Sequence, residues 1–126
     1  MSINKPRILI VEDNRIAARV LKRYCQKAGF MFDHAEGCKE AIALLLKSPY
    51  QLILMDLGLN DGDGKTLTEW IRESDNPNQH TPIVVVSAHV DALQRAACFQ
   101  AGANDVLVKP VRQETIEQVF KDRIKE

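Results

Sequence analysis

Five short apolar runs recur along the chain, and a stretch with apolar residues at helical spacing follows each of them. RILIV (Arg7–Val11), MFDHA (Met31–Ala35), LILM (Leu52–Met55), PIVVV (residues 82–86) and VLV (residues 106–108) are too short for helices. Apart from the weaker second run they lack polar alternation, which predicts strands buried on both faces of a sheet. After the first run, Ile16, Ala17, Val20, Leu21, Tyr24 and Cys25 recur with a helical period up to Ala28-Gly29, where glycine stops the helix. Residues 39–47 bring Ala41, Ile42, Leu44, Leu45 and Leu46 together and end at Ser48-Pro49. A third helix, 65–73, presents Leu67, Trp70 and Ile71 to the core, and a fourth, 91–101, closes on Gly102. The last, 113–124, carries Ile116, Val119, Phe120 and Ile124 on one face. Between the third helix and the fourth strand, SDNPNQHT (residues 74–81) is polar and turn-rich, which predicts a mobile loop. Five strands alternating with five helices predict an α/β domain whose parallel sheet is covered on both sides.

Four of the five strands end in a chemically useful residue. RILIV yields Glu12 and Asp13, LILM yields Asp56, IVVV yields Ser87 and VLV yields Lys109. Parallel strands joined by right-handed crossovers all point one way, so topology gathers these side chains at the carboxyl edge of the sheet, where α/β domains bind ligands. Asp56 is central, because Gly58, Gly62 and Gly64, with Asn60, Asp61 and Asp63, supply a loop directly after it. Three crowded carboxylates repel unless a cation joins them, and a few hard oxygen ligands suit Mg²⁺. Lysine and a hydroxyl beside them can hold the oxygens of a phosphoryl group while a carboxylate accepts it. Each residue also has a plainer reading. Asp13 suits the N-cap of the first helix, Glu12 a solvated loop acid, Ser87 a turn residue or the cap of the next helix, and Lys109 an ordinary loop lysine.

Charge and composition narrow the field. Seventeen basic residues balance 17 acidic ones, so no basic field argues for nucleic acid or a membrane surface. Apolar residues make up 45% of the 126 but form no run long enough to span a bilayer. The first residues show no small-residue cleavage site, so no signal peptide is expected, and the expected location is cytoplasmic. Cys25, Cys38 and Cys98 are odd in number, far apart and each within a helical pattern, which predicts free thiols.

The motifs ILIVEDN, LILMDLGLNDGDG, VVVSAH and AGANDVLVKP, at their spacing, resemble the receiver domain of two-component response regulators over essentially the whole chain, residues 1–126. The resemblance implies a flavodoxin-like (βα)5 fold with a five-stranded parallel sheet in the order 2-1-3-4-5. It implies Asp56 as phosphoacceptor, with Glu12, Asp13, Asp56 and the backbone carbonyl of Gly58 holding Mg²⁺. Ser87 would be the hydroxyl that moves to the phosphoryl group, Lys109 its counter-ion, and Lys109-Pro110 a cis peptide. His89 and Gly58 would form the rim of the site. His34, His80 and His89 are not spaced as metal ligands, and Trp70 is expected in the core away from the site.

Two positions depart from the family pattern. Asn60 stands where a proline is usual, which loosens the loop after Asp56 without removing a catalytic group. Val106 stands where many regulators carry the aromatic ring that swings inward on phosphorylation. An aliphatic residue there resembles the receivers of hybrid sensor kinases, which pass phosphate to a histidine phosphotransfer domain. The implied partner is therefore a histidine kinase or a histidine phosphotransfer domain, with the first helix as its docking surface through Ile16, Arg19, Val20 and Arg23. The implied assembly is a monomer or weak dimer. The chain shows no DNA-binding helix-turn-helix, so output would belong to a partner or to another part of a longer protein. Three other readings remain. One is a free-standing regulator acting by protein contact. Another is a Mg²⁺-dependent phosphatase of the haloacid-dehalogenase type, which needs an acid where Gly58 stands. The third is a pseudo-receiver that binds partners without phosphorylation.

Overall fold

The computed structural model describes residues 5–124, so the ends of the expected 1–126 span lie outside the described residues. Twelve elements follow in order: β1 (Arg7–Val11), α1 (Arg15–Ala28), β2 (Met31–Ala35), α2 (Cys38–Lys47), β3 (Leu52–Met55), β4 (Gly58–Leu59), β5 (Gly62–Asp63), α3 (Gly64–Glu73), β6 (Ile83–Ser87), α4 (Ala92–Ala101), β7 (Asp105–Val108) and α5 (Gln113–Arg123). Five of the strands form one parallel sheet in the order β2-β1-β3-β6-β7. Once the two-residue strands β4 and β5 are set aside, that order is the expected 2-1-3-4-5 of the flavodoxin-like fold. The stretch after Asp56 is thus more ordered than a plain loop, because β4 and β5 pair antiparallel, Gly58 with Asp63 and Leu59 with Gly62.

Strands β1, β3 and β6 are buried almost throughout, and their alternate residues feed two separate cores. Leu9, Val11, Ile53, Met55, Ile83 and Val85 meet α2, α3 and α4 on one face. Ile8, Ile10, Leu52, Leu54, Val84 and Val86 meet α1 and α5 on the other. Two-sided burial is why these runs carry no polar alternation. All four apolar residues expected on α5 are buried, and Trp70 is half-buried against the first core.

On α1 the buried residues are Ala18, Leu21 and Cys25, whereas Ile16 is 75% and Val20 39% exposed. The helix thus carries a second apolar stripe that faces outward, as the docking surface expected there requires. Residues 74–81, expected to be a mobile loop, are instead tied down. Asn78, fully buried, donates to the carbonyls of Leu45 (2.8 Å) and Ser48 (2.7 Å) and accepts from the Tyr50 amide at 2.7 Å. The Thr81 hydroxyl donates to Tyr50 O, and Asn76 bonds Ile71 O. Polar side chains that predict solvent exposure here satisfy buried backbone groups instead.

Candidate phosphoacceptor site

The sheet registers place the strand-end residues. Val11 pairs with Met55 and Met55 with Val85, while Ser87 pairs with Val108. Hydrogen bonds one residue beyond or at these pairs lock the edge: Glu12 N to Ala35 O (3.0 Å), Asp56 N to Val11 O (2.9 Å) and Lys109 N to Ser87 O (2.8 Å). Glu12, Asp56, Ser87 and Lys109 thus emerge at one edge from backbone the sheet has already fixed. Gly64 closes the site from the α3 side, because a Cβ there would collide with the Asp56 carbonyl. The Lys109-Pro110 peptide is cis, as expected.

Each plainer reading of these residues meets a contrary observation. The cap of α1 is Asn14, whose side chain accepts from Ala17 N at 3.0 Å, so Asp13 is left without that task. Glu12 is 1% exposed and is no solvated loop acid. The cap of α4 is Asp91, in a reciprocal capping box with Gln94, so Ser87, itself buried, caps nothing. Lys109 is no free lysine: its Nζ lies 2.5 Å from Glu12 Oε1 and 3.7 Å from Asp56 Oδ1.

Carboxylate oxygens of Glu12, Asp13 and Asp56 lie within 4.8 Å of one another. Burial, the carboxyl contact with Glu12 and the Glu12 charge push the Asp56 carboxyl up to about 7. Lys109 pulls it down, and Asp13 adds a further upward push. Three acids sharing one ammonium are short of positive charge. Glu12 Oε2 accepts from the Asn14 amide at 3.1 Å. Glu12 Oε1, buried, has the Lys109 charge beside it but off the direction of a hydrogen bond, and finds no donor among the described residues. A buried carboxylate oxygen that accepts no hydrogen bond, within an under-neutralised acidic cluster, is the chemistry of a divalent-cation site, and an all-oxygen set suits Mg²⁺.

Beside the acids a cleft of about 540 Å³ is bordered by Leu57, Gly58, Ser87, His89 and Cys98. Gly58 and His89 are both exposed on it. Val106 is buried behind the edge with no ring to move. Sequence reasoning missed His34, whose Nε2 lies 2.7 Å from the Glu12 carbonyl. A carbonyl only accepts, so that nitrogen carries the hydrogen and steadies the strand end bearing Glu12. Its place next to the end of β2 was the available signal.

A sequence model of the response regulator receiver domain matches residues 8–121. The chain belongs to this receiver family. It is 36% identical over 107 residues to the transcriptional regulatory protein ResD of Bacillus subtilis, covering 85% of this chain and 43% of that protein. Identity is also 36%, over 116 residues, to the autoinducer 2 sensor kinase/phosphatase LuxQ of Vibrio parahaemolyticus, covering 92% of this chain and 13% of that one. The chain therefore spans less than half the length of these curated relatives. Among solved structures, the receiver domain of the sensor histidine kinase PA1611 from Pseudomonas aeruginosa superposes with a TM-score of 0.85 at 28% identity. The match covers 96% of this chain and 98% of that one, and that protein has a magnesium ion coordinated in its active-site cleft. The fold and the two-component receiver class are thus established for this receiver. No helix among its described residues is long and apolar enough to cross a membrane.

Proposed function

We propose that residues 1–126 act as one cytoplasmic receiver domain that takes a phosphoryl group from a phosphohistidine onto Asp56 and passes it to a histidine phosphotransfer partner. The observation that carries this reading is the buried acidic cluster with a single lysine reaching both Glu12 and Asp56. An ionised Asp56 oxygen forms the P–O bond as the donor's P–N bond breaks, and the electron pair returns to the imidazole, which takes up a proton. Lys109 lies where its ammonium can exchange its carboxylate contacts for the incoming phosphoryl oxygens. Ser87, on the opposite side of Asp56 from β1, supplies the hydroxyl for one of those oxygens. Glu12, Asp13, Asp56 and the Gly58 carbonyl would hold Mg²⁺, which when bound neutralises the charge gathered on the transferred group. The switch requires no turnover of a separate substrate.

Two features support a protein donor. Helix α1 carries Arg15, Arg19, Lys22, Arg23 and Lys27 and no acidic residue. Its exposed Ile16 and Val20 flank a groove of about 620 Å³ that reaches Lys109, Pro110 and Val111. An apolar stripe edged with cations next to the acceptor suits a helical partner with an acidic rim. Val106 favours the relay reading over an output switch, since no ring there can couple Asp56 to the outer face. In the decisive experiment the protein is incubated with acetyl phosphate and Mg²⁺. Wild type gains one acid-stable, base-labile phosphate, and Asp56→Asn, which keeps the shape of the site, gains none. Undiminished labelling of Asp56→Asn would overturn the assignment.

A further inference from the structure

The hairpin β4–β5 follows Asp56 directly and has little stiffness of its own. Its ladder joins only Gly58 to Asp63 and Leu59 to Gly62, and Asn60 and Asp61 at its tip are exposed. Yet the tip is seated against another element. The Asp61 carboxylate accepts from Cys38 N at 2.6 Å and from Lys39 N at 3.0 Å, the first two amides of α2. Helix α2 has no cap from its own N-cap residue, Gly37, so Asp61, 23 positions beyond Cys38 in the chain, supplies it. These two bonds hold the Asp61 carboxyl below the ordinary aspartate range.

The seat is built from both sides. A Cβ at Gly37 would lie 2.6 Å from Asp61 Oδ1, and one at Gly62 would lie 2.9 Å from Cys38 Sγ. Each glycine therefore opens the space that the other segment fills. Gly37 has φ −160°, an extended conformation open to any residue, so its requirement is the close approach of Asp61 and not its backbone. Leu59, 8% exposed, pegs the same hairpin into the core.

We propose that Asp61 is a positioning residue: by clamping the β4–β5 hairpin to the first turn of α2, it holds the Gly58 carbonyl in place at the acidic site. This inference rests on the reading of Glu12, Asp13, Asp56 and the Gly58 carbonyl as a Mg²⁺ site. Without the clamp, the hairpin keeps its Leu59 peg but its Gly58 end can drift, and the cation loses a fixed backbone ligand. A distant carboxylate thereby sets metal affinity without touching the metal.

The test is a calorimetric titration of Mg²⁺ into the full chain at pH 8, for wild type, Asp61→Ala, Asp61→Asn and Gly37→Ala, with amide exchange at Cys38 and Lys39 followed by NMR. Gly37→Ala dislodges the carboxylate without altering it, and the isosteric Asp61→Asn serves where Asp61→Ala does not fold. Asp61→Ala and Gly37→Ala should bind Mg²⁺ about tenfold more weakly, with Asp61→Asn in between, a loss typical of a partner behind a metal ligand. Faster exchange at Cys38 and Lys39 with unchanged Mg²⁺ affinity would make Asp61 a helix cap and nothing more, and would overturn the inference. Failure of wild type to bind Mg²⁺ would instead overturn the reading of the site, and this inference with it.

Discussion

Lys109 reaches across the mouth of the site to Glu12, its Nζ 2.5 Å from an oxygen that is otherwise without a donor, while Asp56 Oδ1 lies farther off at 3.7 Å. Glu12 and Asp56 leave adjacent strands, β1 and β3, and the lysine arrives from β7 at the edge of the sheet. The ammonium is therefore held near Asp56 by a different carboxylate and stays available for charge that builds up there.

Replacing Lys109 with methionine separates its two roles. The stem's packing is retained, but the acidic cluster loses the only close ammonium among the described residues. Mg²⁺ should bind more tightly, because a competing positive charge has gone. Labelling by acetyl phosphate should slow by about 10²-fold or more, the usual effect of removing a charge-stabilising donor. Calorimetry and a labelling time course on the same variant check both signs.

The raised pKa of Asp56 sets a pH dependence. The folded group titrates near 7 and the unfolded one near 3.8, so between those values the native state binds more protons. Stability in EDTA should therefore fall as pH rises from about 4 through about 7, the reverse of a salt-bridged carboxylate. Saturating Mg²⁺ should remove that slope, and metal affinity should weaken as pH drops below about 7, since the proton and the cation compete. Asp56→Asn should flatten the profile and be the more stable protein above pH 7. Urea midpoints across the pH range read all of this.

Asn78 lies at the opposite, amino end of the strands, between the residues that precede β3 and β6. Asn78→Ala leaves the Tyr50 amide and the Leu45 and Ser48 carbonyls without their partner. The expected cost is about 2–4 kcal/mol of stability. Mg²⁺ affinity should not change, because the acidic site draws on the other edge. Urea denaturation beside a Mg²⁺ titration checks both halves.

How much of this was legible in the sequence follows from the range of each interaction. Uninterrupted apolar runs mark buried parallel strands directly, and strand ends such as Asp56 and Lys109 inherit their place from topology, so the order of the sheet and the gathering of Glu12, Asp56, Ser87 and Lys109 could be anticipated. Asp13 and Asn14 are both able to cap, and only the geometry shows that Asn14 does so. Ile16 and Val20 face solvent, as the docking surface anticipated on α1 requires, although helical periodicity alone fixes a stripe and not which neighbour covers it. Asn78 and Asp61 satisfy backbone groups 28 and 23 positions away, and no local pattern carries such a partnership.

Ser87 gives the last prediction. It ends β6 with its carbonyl held by the Lys109 amide, so its backbone is fixed and its hydroxyl is the mobile part. The helix beyond it, α4, is shallowly packed: only Cys98 and Ala101 are buried, and Leu93 is 82% exposed. Arg95 adds one tie, from Nη1 to the Val106 carbonyl at 3.1 Å. An element so lightly held can shift with small changes at β6. Ser87→Ala leaves the acids and Lys109 in place, so beryllofluoride with Mg²⁺ should still bind beside Asp56. The amide resonances of residues 88–101 should then move much less than in wild type, because no hydroxyl is drawn to the fluorides. An equal shift in both proteins would mean that α4 responds through Lys109 and β7, with Ser87 a bystander.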